Sequence, residues 1–127
     1  MVPGSRAKAP AVLIVDDEPL VRLCAVETVE DAGFEVIEAA NADEAIRILE
    51  SRSDVRVVFT DLHMPGSMDG LKLAHAVRNR WPPIKIVATS GLVKVEEDDL
   101  PAGSVFLRKP YQGAEVVAAL SELTGTG

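Results

Sequence analysis

The chain has 127 residues, a net charge of −7 and a single cysteine, and 47% of it is hydrophobic against 26% charged. That is enough chain for one folded domain and too little for two. The acidic balance argues against a sequence-independent grip on nucleic acid, the lone Cys24 excludes an internal disulfide or a cysteine-based metal cluster, and no apolar run approaches the ~20 residues that span a bilayer.

The first ten residues are small, polar or proline and read as a loose leader. Ala11 to Val15 is a β-rich run without alternation, as suits a strand buried on both faces of a parallel sheet. Pro19 then fits the first turn of a helix, with Leu20, Leu23, Cys24 and Val26 to Val29 as its apolar face and Gly33 as its stop. On this reading Cys24 is a small core residue. Glu35 to Ala39 alternates and reads as an edge strand.

Asn41 followed by Glu44 is a helix start, the asparagine as cap and the glutamate reaching back to the cap N–H. Ala42, Ala45, Ile46 and Leu49 follow at helical spacing. Val55 to Thr60 is a third strand. A third helix runs from about Asp69 to Arg80, with Leu73, Ala74, Val77 and Trp81 inward, and Pro82-Pro83 ends it. Ile84 to Thr89 and Ser104 to Leu107 are the fourth and fifth strands. Gly91 to Gly103 joins them with an acidic run, Glu96 to Asp99, and room for a turn or so of helix. A last helix runs from about Gln112 to Leu123 on a stripe of Val116, Val117, Leu120 and Leu123.

Alternating βα units give a parallel sheet with helices on both faces, because crossovers are right-handed. Ligands of such sheets bind beyond the carboxyl ends of the strands. There the sequence places Asp16-Asp17 after strand one, Asp61 after strand three, Thr89-Ser90-Gly91 after strand four and Arg108-Lys109-Pro110 after strand five. Three close carboxylates repel one another, and a divalent cation of the Mg²⁺ or Mn²⁺ type relieves this. Such a cation also neutralises a phosphoryl group, and a carboxylate is a competent phosphoryl acceptor.

Asp16-Asp17-Glu18, Asp61-Leu62-His63-Met64-Pro65, Ser90-Gly91 and Lys109-Pro110, in this order and each at a strand end, together resemble the receiver domain of bacterial response regulators. The resemblance covers about residues 10 to 124. It implies an α/β flavodoxin-like doubly wound (βα)5 fold, with a five-stranded parallel sheet in order 2-1-3-4-5. The fourth helix is short or degenerate here. It further implies one receiver domain over residues 11–124, after a leader over residues 1–10 and without an output domain.

By the same resemblance Asp61 is the phosphoacceptor. Asp17 binds Mg²⁺ directly, together with Asp61 and the main-chain carbonyl of His63. Asp16 acts through a metal-bound water or by orienting the cluster. Ser90 takes the phosphoryl hydrogen bond that signals activation, and Lys109 pairs with the phosphoryl group. Phe106 stands at the aromatic switch position. Implied partners are a histidine kinase or phosphotransfer protein and a downstream protein, for a cytoplasmic monomer or weak dimer without nucleic acid or membrane contact.

The chain departs from the family pattern at three places. The loop Met64 to Gly70 is one residue longer, the switch aromatic is Phe106 rather than tyrosine, and Ser90 to Lys109 spans 19 residues, about three fewer than usual. The shortfall falls on the acidic segment. Short forms of this kind occur in stand-alone receivers and in receivers of hybrid sensor kinases.

Blander roles compete at each position. Asp16 and Asp17 suit the N-terminus of the helix that Pro19 opens. Thr89 rivals Ser90 as the hydroxyl, and Ser90 is preferred because a small residue follows it. The ring of His63 is expected to be exposed, His75 falls on the polar side of its helix, and Glu96 to Asp99 reads as a solvated turn. An aspartyl-nucleophile phosphatase usually carries a second aspartate two residues on, where this chain has His63.

Overall fold

The computed structural model describes residues 11–63, 69–91 and 100–125. Five strands are present: β1 Ala11–Val15, β2 Glu35–Ala39, β3 Val55–Asp61, β4 Lys85–Ser90 and β5 Val105–Arg108. Among the described residues four helices join or follow them: α1 Pro19–Asp31, α2 Ala42–Ser51, α3 Gly70–Arg80 and α4 Gly113–Thr124. All strand pairs are parallel, in the order β2-β1-β3-β4-β5. This is the doubly wound architecture that the sequence implies. The acidic run expected to hold a short or degenerate extra helix lies within residues 92–99, outside the described residues, as does the lengthened loop at 64–68.

The sheet is the middle of three layers. Alternate residues of β1 serve opposite faces, as the pleat requires. Leu13 and Val15 join α2 and α3 in one cluster, while Val12 and Ile14 join α1 and α4 in the other. All five residues of β1 are buried, which is why the strand reads as an unbroken apolar run. β2 has exposed and half-buried positions, as an edge strand should.

Two caps differ in detail. Asn41 accepts from the Glu44 N–H at 2.8 Å, but the Glu44 carboxylate takes the N–H of Ala40 at 2.7 Å rather than that of Asn41. Asp69 caps α3 by accepting from the Lys72 N–H at 2.9 Å.

The inward face of α1 also differs from the sequence expectation. Ala25, Val26 and Val29 are buried, whereas Leu20 is 77% and Leu23 51% exposed, and Cys24 is exposed. Cys24 is therefore not a core residue. The helix starts just past the end of β1, so its first turns stand beyond the sheet edge, with less of the sheet beneath them to cover a large side chain. Packing begins one turn later, where Ala25 lets the helix approach the sheet.

Stability measurements separate the two kinds of position. Leu73→Ala and Leu120→Ala, one on each face and both fully buried, are expected to cost about 3 kcal/mol each in urea unfolding. Leu20→Ala and Leu23→Ala are expected to stay within about 0.5 kcal/mol of the parent. A loss of several kcal/mol at Leu20 would contradict the orientation of α1.

Candidate functional site

β1 and β3 are neighbours, yet the chain leaves them toward opposite edges of the sheet, so a crevice opens between their carboxyl ends. Asp16 and Asp61 stand at that crevice, each only 6% exposed, and Asp17 is half-buried beside them. One carboxylate oxygen from each of Asp16, Asp17 and Asp61 lies within 4.8 Å of the others. The Lys109 ammonium reaches in from the end of β5, 3.1 Å from Asp61 Oδ2 and 3.8 Å from Asp16 Oδ2.

Main-chain groups hold these side chains in place. The His63 N–H donates to Asp61 Oδ1 at 3.0 Å, and the Glu18 N–H donates to Asp16 Oδ1 at 3.0 Å. The N–H of Lys109 donates to the Ser90 carbonyl at 2.8 Å, tying β5 to β4 directly beneath the ammonium. The Lys109–Pro110 peptide is cis. Burial raises the pKa of Asp16, and its N–H bond from Glu18 and the Lys109 charge recover only part of that. Burial pushes the Lys109 ammonium down, but its bond to the Asp61 carboxylate, together with the neighbouring negative charges, outweighs this and the net direction is up.

Three negative charges thus face one positive charge, leaving an excess of two within a site that is mostly out of water. A single divalent cation matches that excess, and carboxylate oxygens suit Mg²⁺. The donor set therefore fits the metal. His63 is exposed, and the contact seen for it is its N–H on Asp61.

Ser90 is fully buried at the end of β4, and Thr89 beside it is directly opposite Asp61 in the sheet. Phe106 pairs with Ala88 in register, and Ala88 and Ser90 share a strand face. Phe106 is half-buried against the cluster that holds Ala88. The two residues singled out as a switch thus lie on one side of the sheet.

Three residues of the site escaped the sequence reading. Arg22 donates to the Asp16 carbonyl at 2.7 Å and to the Glu38 carboxylate at 3.1 Å, clamping the loop that carries Asp16 and Asp17. Its spacing from Asp17 carries no signal of that contact. Tyr111 stands edge-on to Phe59 and lines an apolar pocket with Val21, Cys24, Lys109 and Pro110. Gly70 opens α3 against the backbone of Asp61 and Leu62, and donates its N–H to the Leu62 carbonyl at 3.1 Å. A Cβ at Gly70 would overlap the Asp61 carbonyl. The Asp69-Gly70 pair was a usable signal for a close approach of this kind.

The comparison with known proteins agrees with this geometry. The family model described as the response regulator receiver domain matches residues 12–121. The chain belongs to the receiver domain family. It is 34% identical over 116 residues to sensor kinase CckA of Brucella abortus, covering 88% of this chain and 12% of that protein. It is 32% identical over 114 residues to a putative NtrX-like response regulator of Rickettsia conorii, covering 87% of this chain and 24% of the relative. The chain thus spans a quarter or less of these curated relatives.

Among solved structures, a response regulator receiver protein from Sinorhizobium medicae superposes with a TM-score of 0.86 at 31% identity, covering 93% of this chain and 96% of that one. Response regulator TrrA from Thermotoga maritima, solved in complex with Mg²⁺ and BeF, gives 0.81 at 27% identity, covering 89% and 97%. Receiver domains are phosphoacceptor modules of two-component signalling, and they bind Mg²⁺ at an acidic site. No helix among the described residues is long and apolar enough to cross a membrane.

Two outcomes follow from the geometry. Gly70→Ala is expected to cost about 2 kcal/mol or more, because backbone rather than a side-chain tip must yield. Amide NMR shifts should then move at Asp61 and Leu62, and a variant with parental stability and shifts would contradict the contact. For Asp16, the raised pKa means that the folded state holds its proton more tightly than the unfolded state does. The buried carboxylate therefore costs stability above its folded pKa, and the cost is relieved as pH falls toward the ordinary 3.8. Metal-free Asp16→Asn is expected to be more stable than the parent at pH 7, with the gap closing in acid. Thermal unfolding at several pH values reads this directly, and a gap that widens in acid reverses the assignment.

Proposed function

We propose that this chain acts as a cytoplasmic response regulator receiver whose phosphoacceptor is Asp61. The observation that carries the reading is the Lys109 ammonium held on the Asp61 carboxylate at the mouth of the three-carboxylate cluster. A histidine kinase or phosphotransfer protein is the donor. An Asp61 carboxylate oxygen attacks the phosphorus of the donor's phosphohistidine, the P–N bond breaks, and the imidazole leaves with that electron pair. The product is an acyl phosphate on Asp61.

Asp17 and Asp61, with the His63 carbonyl, are the residues that would hold Mg²⁺, and Asp16 orients the cluster around them. The metal supplies charge neutralisation where two phosphorylated or carboxylate groups meet. Lys109 passes from Asp61 to the new phosphoryl oxygens, keeping its charge on the developing negative charge. Ser90 supplies a hydroxyl donor to the same group. Its movement, with a rotamer change of Phe106 on the same sheet face, shifts a surface read by a downstream protein. Phe106 lacks a hydroxyl, so this switch works by packing alone.

A second reading places the chain in a phosphorelay, taking phosphate from one histidine and passing it to another or draining it from a shared kinase. The 34% identity to a sensor kinase over nearly the whole chain favours it. Both readings use the same acyl phosphate.

Intact mass after incubation with acetyl phosphate tests the shared chemistry. One phosphoryl adduct is expected on the parent with Mg²⁺, and none without Mg²⁺ or on Asp61→Asn. An equal adduct on Asp61→Asn would remove Asp61 as acceptor. Mixing the labelled protein with a histidine phosphotransfer protein then separates the readings: return of the label to histidine marks a relay, and release as inorganic phosphate marks a terminal receiver.

A further inference from the structure

The opposite edge of the sheet carries a different chemistry. The segments that follow α2 and α3 meet there and enclose a pocket of about 550 Å³, within the roughly 300–1,000 Å³ of small-ligand sites. Leu49, Val55, Ile84 and the Pro82-Pro83 pair give it an apolar lining, while Arg52, Arg56 and Arg80 bring three positive charges against the single carboxylate of Glu50. Glu35 and Asp54, which pair with Arg52, bring the local count to three carboxylates against three arginines, so what the pocket offers an anion is the donors left unpaired rather than a net charge.

The three arginines differ in what they have left to offer. Arg52 is taken up by Asp54 at 2.6 Å and Glu35 at 3.2 Å. Arg80 bonds Glu50 at 2.8 Å and lies over the Trp81 ring, 4.4 Å from its centroid. The two contacts fix the guanidinium plane, yet the side chain is half exposed. Its outer face is therefore a flat, pre-oriented cationic plate. Arg56, the second residue of β3, is exposed and has no hydrogen-bond or ion-pair partner among the described residues.

We propose that this pocket binds a small planar anion of the nucleoside phosphate class. The ring stacks on the outer face of Arg80, extending the Trp81–Arg80 stack by one layer. The phosphate takes the open fork of Arg56, whose paired donors match phosphate oxygens. The site is independent of phosphoryl transfer. Arg56 and Asp61 lie on one strand, but five residue steps separate them by roughly 17 Å.

Trp81 is the sole tryptophan, so its indole N–H gives one assigned NMR cross-peak beside the pocket. Titration with adenosine monophosphate at constant ionic strength is expected to shift that peak saturably, with a Kd of about 1 mM or tighter. Adenosine alone and inorganic phosphate alone are expected to bind at least tenfold more weakly. Arg56→Gln, at an exposed position that leaves the fold intact, is expected to weaken binding about tenfold, and Asp61→Asn to leave it unchanged. No saturable shift, an equal response to inorganic phosphate, or full binding by Arg56→Gln would each overturn the proposal. Binding retained in Asp61→Asn separates this site from the phosphoacceptor, whatever the outcome of the acetyl phosphate experiment.

Discussion

The mutual repulsion of Asp16, Asp17 and Asp61 is the constraint around which the molecule is arranged. Carboxylates this close do not stay ionised in a buried setting unless something answers their charge. Lys109 answers one of the three. The remainder is an unfavourable free energy that the fold carries, and any event that brings positive charge to the crevice recovers it. A phosphoryl group arriving without a cation makes the imbalance worse, which is why the geometry suits Mg²⁺-dependent transfer and does not suit the bare anion. Burial is the main reason that the Asp16 pKa is raised despite a lysine nearby, and the Asp61 and Asp17 charges add to it in the same direction.

Only the sheet makes that arrangement possible. Residues 16, 61 and 109 are far apart in sequence, and each stands where a parallel strand ends. The central strands are apolar and closely packed, so they hold the strand ends in fixed positions. Main-chain hydrogen bonds then complete the site: Leu62 N–H to the Thr89 carbonyl, Lys109 N–H to the Ser90 carbonyl, and Gly70 N–H to the Leu62 carbonyl. Loss of Gly70's small size reaches Asp61 through backbone, with no side chain able to absorb it.

What could be read from the sequence follows from which physical signals are local. The central strands β1, β3 and β4 are largely apolar, β-rich runs because both of their faces are covered. Asp16, Asp17, Asp61 and Lys109 were legible because a residue's place at a strand end is a sequence property. Leu20, Leu23 and Cys24 were misread because periodicity gives a helix face without saying where the sheet beneath it stops. Arg22 was silent for a similar reason: its value lies in reaching the Asp16 carbonyl and Glu38 on another strand, a contact set by the approach of α1 to β2. The assignment of Glu44 to the wrong N–H was an error of one residue in an otherwise correct cap.

Polarity along the strand axis gives the molecule two chemically distinct ends. The carboxyl ends of β1 and β3 gather acids and a lysine, whereas the amino end of β3 and the α3–β4 turn gather arginines and a tryptophan. Parallel strands make this segregation straightforward, since every strand presents its start to one edge and its end to the other. Charges at the two edges are too far apart to neutralise each other through water at physiological salt, where screening acts over about 8 Å. Each edge must therefore find its counter-charge locally. At the arginine edge Asp54, Glu35 and Glu50 do so for Arg52 and Arg80, while Arg56 is left facing solvent. At the carboxylate edge Lys109 does so for one acid of three. By this reasoning Arg56, which has no direct partner among the described residues, and the two carboxylates that Lys109 does not answer are the groups to which an external ion contributes most.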